Sequence, residues 1–132
     1  DGFFDHLDVF LPNDRELQAI AGQPDLESAI EDMAGRVSVL AVKRGARGAI
    51  GVRGGERVNV PAFPIDVIDS TGAGDSFDAG FLAGWLRGES LRQCLQLGSA
   101  CGALTTTQVG GFNGQPTWAE AVEFVLKHES LA

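Results

Sequence analysis

No stretch of this 132-residue chain approaches the roughly 20 consecutive apolar residues that span a bilayer, and no basic-then-apolar signal pattern precedes the first strand-like segment. A soluble chain is expected. Basic residues are few: 10 Lys and Arg against 18 Asp and Glu leave a net charge of −8, which argues against nucleic-acid binding, since that needs a basic stripe. Cysteine is nearly absent. Cys94 and Cys101 fall on one expected helix, and at 1.5 Å rise per residue their Cα atoms would lie about 10 Å apart, too far for a disulfide. Both read as small buried packing residues, in keeping with a cytoplasmic chain. Histidine is limited to the isolated His6 and His128, so no Cys/His cluster suggests zinc and no Ser-His-Asp order stands out. A G-x-x-x-x-G-K-[ST] phosphate loop is also missing. What remains, at 44% hydrophobic and 21% charged, suffices to bury one globular core.

The informative stretch runs Asp69-Ser70-Thr71-Gly72-Ala73-Gly74-Asp75-Ser76-Phe77-Asp78-Ala79-Gly80. A strand-like run over 63–68 leads in, glycines form a tight turn, and helical spacing follows. Phe77, Phe81 and Trp85 recur at i, i+4 and i+8 as a bulky stripe. Ser76, Gly80 and Gly84 follow the same spacing as a bare one. Glycine weakens a helix interior by about 1 kcal/mol relative to alanine, so this stripe predicts close approach of another backbone. The run is not a dinucleotide fingerprint, because Phe77 stands at the third glycine position.

The amides opening such a helix have no intrahelical partners and carry the positive end of its dipole, so a phosphate fits against Gly72, Ala73 and Gly74. Asp75 then has two readings. It is a helix N-cap, or it is a general base that takes a proton from a nucleophile attacking the phosphate.

The other segments are ordered as follows. His6-Leu7-Asp8-Val9-Phe10-Leu11-Pro12 reads as a strand and turn, and Asn13-Asp14-Arg15-Glu16 opens a helix that stops at Gly22, with an N-x-x-E capping box. A helix over 25–35 and a buried strand over 37–42 follow, which implies a parallel crossover. Lys43-Arg44-Gly45-Ala46-Arg47-Gly48 comes off that strand end, where ligands gather in open α/β sheets, although a basic hairpin turn explains it equally. Residues 49–60 form a hairpin with a glycine turn, and Pro61 and Pro64 end the ladder. A Gly, Ala and Ser-rich helix is expected over 91–107, a glycine loop over 109–114, and a last helix from the capping box Thr117-Trp118-Ala119-Glu120.

Asp69 through Phe77 resembles the C-terminal signature of the ribokinase-like, or PfkB-type, carbohydrate kinases, D-[ST]-T-G-A-G-D-[ST]-F, without gaps. The resemblance implies ATP-dependent phosphoryl transfer to a sugar hydroxyl, with Asp75 as catalytic base and Gly72, Ala73 and Gly74 as the anion hole. It also implies that Asn13 and Glu16 match the N-x-x-E motif of the Mg²⁺ and phosphate environment, Glu16 through magnesium-bound waters. Gly45 and Gly48 match the glycines of a nucleotide-pocket T-L-G-x-x-G segment. Lys43 and Arg44 replace its Thr-Leu, and the two cations could serve the ATP phosphates instead. Asp69 and Thr71 match positions of a monovalent-cation site, such as one for K⁺, and Gly98 and Ser99 lie on the helix that borders the adenine. The implied fold is α/β, a three-layer αβα ribokinase-like fold present in part: a mostly parallel sheet with a β-hairpin, flanked by helices. Family members are roughly twice this length, so residues 1–132 are expected to be the C-terminal nucleotide-binding and catalytic half. No nucleic-acid or membrane partner is implied; the full-length protein leaves room for a homodimer. A non-catalytic nucleotide-binding module and a nucleoside or vitamin kinase are the alternatives.

Overall fold

A computed structural model describes residues 7–65, 72–107 and 116–129. The chain divides into two compact units, Asp1–Val60 and Pro61–Ala132.

The first unit carries strand β1 (Val9–Phe10), helices α1 (Asp14–Ala21) and α2 (Leu26–Ala34), and strands β2 (Val39–Lys43), β3 (Ala49–Arg53) and β4 (Glu56–Val60). They form one sheet in the order β1-β2-β3-β4. β1 pairs parallel to β2, across the crossover that α1 and α2 supply. The β2-β3 and β3-β4 pairings are antiparallel, so the described sheet is mixed and less parallel than expected. Connection length is the reason: only residues 44–48 and 54–55 join these strands, and a parallel return needs a dozen residues or more. β1 is also shorter than the run 6–12 suggests. Proline has no N–H to give a ladder, so pairing lapses at Pro12 and returns as a single parallel bridge between Asn13 and Lys43. Lys43 N–H donates to the Pro12 carbonyl at 3.0 Å.

The helical starts and stops fall where residue chemistry places them. Asn13 and Glu16 close a reciprocal capping box on α1, and Gly22 ends it in a left-handed conformation at φ 67°. Leu40, Val42 and Ile50 face Leu17, Ala29, Ile30, Met33 and Val37 in one core. Val39 and Ala41 are buried as well, so β2 is covered on both faces, as its unbroken apolar run predicts.

The second unit carries α3 (Ala73–Leu86), α4 (Leu91–Thr106) and α5 (Trp118–Glu129). Residues 61–65 lie outside any strand, and 66–71 and 109–114, where a strand end and a glycine loop were expected, lie outside the described residues. Ser90 caps α4 in a box with Gln93, and Thr117 with Glu120 caps α5. α3 packs on α4 through backbone-close contacts. A β-carbon at Gly80 would stand 2.7 Å from the Leu97 carbonyl oxygen, and one at Gly102 3.2 Å from that of Ala73. The bare stripe therefore does what its spacing predicts. Trp118, Ala121, Val122 and Val125 give α5 its packing face, against Leu97, Ala100 and Cys101. Phe63 meets Phe124 edge-on at 5.0 Å, and His128, unremarkable in the sequence, stacks on Phe124 at 4.0 Å.

Candidate active site

The opening of α3 is built differently from those of the other helices. Asn13, Asp25, Ser90 and Thr117 each cap a helix with a side-chain oxygen. Gly72 opens α3 with none. It sits at φ 77°, ψ 2°, a left-handed conformation that glycine adopts without steric cost. Ser76 N–H donates to the Gly72 carbonyl at 2.9 Å, the first bond of the helix. The amides of Ala73, Gly74 and Asp75 thus have neither an intrahelical acceptor nor a side-chain cap among the described residues, at the positive end of the helix dipole.

Asp75 is the third residue of the helix, not its N-cap, so the capping alternative fails. It is exposed, and no described residue bonds or pairs with its carboxylate. A carboxylate there gains from the helix dipole, and neither of its oxygens has a partner among the described residues. Gly72 and Gly74 are exposed and Ala73 is half-buried, so the turn is bare of bulk.

Behind this turn the chain is fixed firmly. Ser76 and Thr105 are both buried, and their hydroxyl oxygens lie 2.6 Å apart. Thr105 Oγ1 is also 3.0 Å from the Cys101 carbonyl oxygen. Gly98 is buried against Phe77, where a β-carbon would come within 2.9 Å of the Phe77 carbonyl oxygen, so packing alone demands a glycine there. Ser99 beside it is half-buried. Cys94 and Cys101 form no disulfide and lie buried in the same contact. Burial, with Glu120 nearby, pushes the Cys101 thiol up to about 11, so it is a packing group rather than a nucleophile.

The first unit gathers its own candidates at the carboxyl ends of β1 and β2. The bridge between Asn13 and Lys43 sets these two side by side. Asn13 Oδ1 accepts from Glu16 N–H at 2.7 Å, and Glu16 Oε1 accepts from Asn13 N–H at 2.9 Å. The second Glu16 carboxylate oxygen has no partner among the described residues. Gly45 and Gly48 frame a 3₁₀ turn, Gly45–Arg47, closed by the Arg44 N–H to Gly48 carbonyl bond at 2.8 Å. Arg44 Nη2 donates to the Arg47 carbonyl, and its Nε is buried with no acceptor among the described residues. Arg47 pairs with Asp14 at 3.1 Å, a contact that no local sequence signal announces because it spans 33 positions. Asp69 and Thr71, the expected monovalent-cation positions, lie outside the described residues. Among the described residues no group of three or more His, Cys, Asp or Glu could hold a metal. Magnesium held through phosphates and waters does not need one.

The family described as pfkB family carbohydrate kinase matches residues 2–118. An ATP-dependent ribose-1-phosphate kinase of Halopiger xanaduensis is 40% identical over 120 residues, covering 90% of this chain and 38% of its own length. A nucleoside kinase of Methanocaldococcus jannaschii is 31% identical over 125 residues, covering 94% and 41%. An Escherichia coli structure in complex with ATP and Mg²⁺ superposes with a TM-score of 0.87 at 30% identity, over 95% of this chain and 41% of that one. The chain thus spans about two fifths of the length of these relatives.

Proposed function

The chain belongs to the pfkB family of carbohydrate kinases, and from that premise we propose that it carries the ATP site and the catalytic base for phosphoryl transfer to a sugar hydroxyl. One observation carries the proposal: the opening of α3 is the single uncapped start among the five described α-helices, and a carboxylate without a described partner stands in its first turn.

In this role the amides of Ala73, Gly74 and Asp75, with the bare Gly72 turn, hold the transferring phosphoryl group and stabilise the charge that spreads over its oxygens. Asp75 accepts the proton of the attacking hydroxyl. Asn13 and Glu16 orient the phosphates and metal-bound waters, and Lys43, Gly45 and Gly48 line the nucleotide side. Mg²⁺, when bound, supplies neutralisation of the phosphate charge. Asp69 and Thr71 complete the scheme as a monovalent-cation site for an ion such as K⁺. Gly98 and Ser99 back the adenine region on α4.

Asp75→Asn in the full-length protein tests this directly. Turnover is expected to fall by about 10²- to 10⁴-fold, the usual worth of a general base, with ATP affinity nearly unchanged. Unaltered turnover removes Asp75 from the role. A nucleoside is a second acceptor class to assay, because a nucleoside kinase is among the similar proteins. ATP binding without phosphorylation of any sugar or nucleoside would leave a nucleotide-binding module.

A further inference from the structure

We infer that Thr105, near the end of α4, is a positioning residue for the opening turn of α3, acting through Ser76. The inference rests on the catalytic role proposed above for that turn, and three contacts carry it. The Thr105 hydroxyl is 2.6 Å from that of Ser76, the residue directly after Asp75, and both are almost fully buried, at 2% and 3% exposure. The Thr105 methyl faces the other end of the same turn, 3.8 Å from where a β-carbon on Gly72 would stand. One turn earlier on α4, Gly102 stands where any side chain would press on the Ala73 carbonyl oxygen at 3.2 Å.

Thr105 Oγ1 has one proton and two acceptors in reach, Ser76 Oγ and the Cys101 carbonyl oxygen, so the buried hydroxyl contact tethers the residue after Asp75 to α4 and holds the turn from behind. An anion hole works by geometry set before the reaction, so this restraint bears on turnover more than on ATP capture.

Full-length protein carrying Thr105→Val keeps the side-chain shape and loses the bond, and Thr105→Ser keeps the hydroxyl. Thr105→Val is expected to lower kcat by about 10- to 100-fold with little change in KM for ATP, and Thr105→Ser to restore most of it. The double variant Thr105→Val with Ser76→Ala removes both buried hydroxyls. It should regain thermal stability over Thr105→Val alone while kcat stays low. If kcat returns together with stability, Thr105 is merely structural and the inference is overturned. Amide hydrogen exchange of residues 73–77 gives a readout independent of catalysis, with faster exchange expected in Thr105→Val. If the unaltered protein phosphorylates nothing, the proposed function fails by itself and this exchange result alone decides the restraint: unchanged exchange overturns it.

Discussion

Gly98 and Phe77 meet so closely across the α3-α4 contact that a β-carbon on the first would stand 2.9 Å from the carbonyl oxygen of the second and 3.1 Å from its ring. Backbone cannot yield as a flexible side-chain end can. The helix that bears Asp75 is therefore held at a distance set by absent side chains.

Gly98→Ala and Gly80→Ala should each destabilise the protein by about 1–3 kcal/mol, the usual cost of overpacking, despite the roughly 1 kcal/mol by which alanine favours a helix over glycine. Gly84→Ala should cost less, because its β-carbon would meet the Leu97 side-chain end at 3.1 Å rather than a carbonyl. Urea denaturation of the three variants gives the order. An increase in stability for Gly98→Ala or Gly80→Ala would contradict the contact.

The capping box of α1 and the proposed magnesium role of Glu16 can be separated. Asn13→Ala should cost about 1 kcal/mol through loss of the cap. Glu16→Gln keeps an acceptor for the Asn13 N–H and should leave stability nearly unchanged. It removes the charge, so the Mg²⁺ concentration for half-maximal activity of the full-length protein should rise. Identical magnesium dependence would confine Glu16 to the cap.

Cys94 and Cys101 should resist a thiol-specific reagent in the folded protein and react once it is unfolded. With the Cys101 pKa raised to about 11, only about one thiol in ten thousand is ionised at neutral pH, and the side chain is buried besides. Rapid native labelling of Cys101 would show that the α3-α4 contact opens.

The carboxylate of Glu27 receives two bonds from the Arg57 guanidinium, both at 2.8 Å, which link α2 to β4. That pairing lowers the Glu27 pKa below its ordinary 4.5. A lowered folded pKa adds stability above the unfolded value and loses it as pH falls through the folded one. Arg57→Met should therefore lower stability modestly at pH 7, since an exposed pair is worth little, and the difference from the unaltered protein should shrink as pH falls below about 4.5, leaving a slightly flatter acid limb. An unchanged acid limb would show that the pair does not persist in solution.

Local chemistry was legible wherever one residue type decides one backbone event. The capping quartets at Asn13 and Thr117, the stop at Gly22, the two-residue turn at Gly54 and Gly55, and the α3 spacing all stand where their patterns place them. The S-x-x-Q pattern at Ser90 carries the same capping-box signal and closes the box with Gln93. Asp75 was only half legible: its signature identifies the turn, but the left-handed Gly72 is what moves the cap position away from it.

Periodicity, caps and turns were enough to determine an α/β chain, because they depend on neighbours a few positions away, while the kinase family was legible only through the resemblance of Asp69 to Phe77 to its signature. Partnership across long sequence separations was decided only when the chain folded. The Ser76-Thr105 hydroxyl pair, the Asp14-Arg47 ion pair and the seating of Gly98 on Phe77 depend on packing distances that no local pattern encodes.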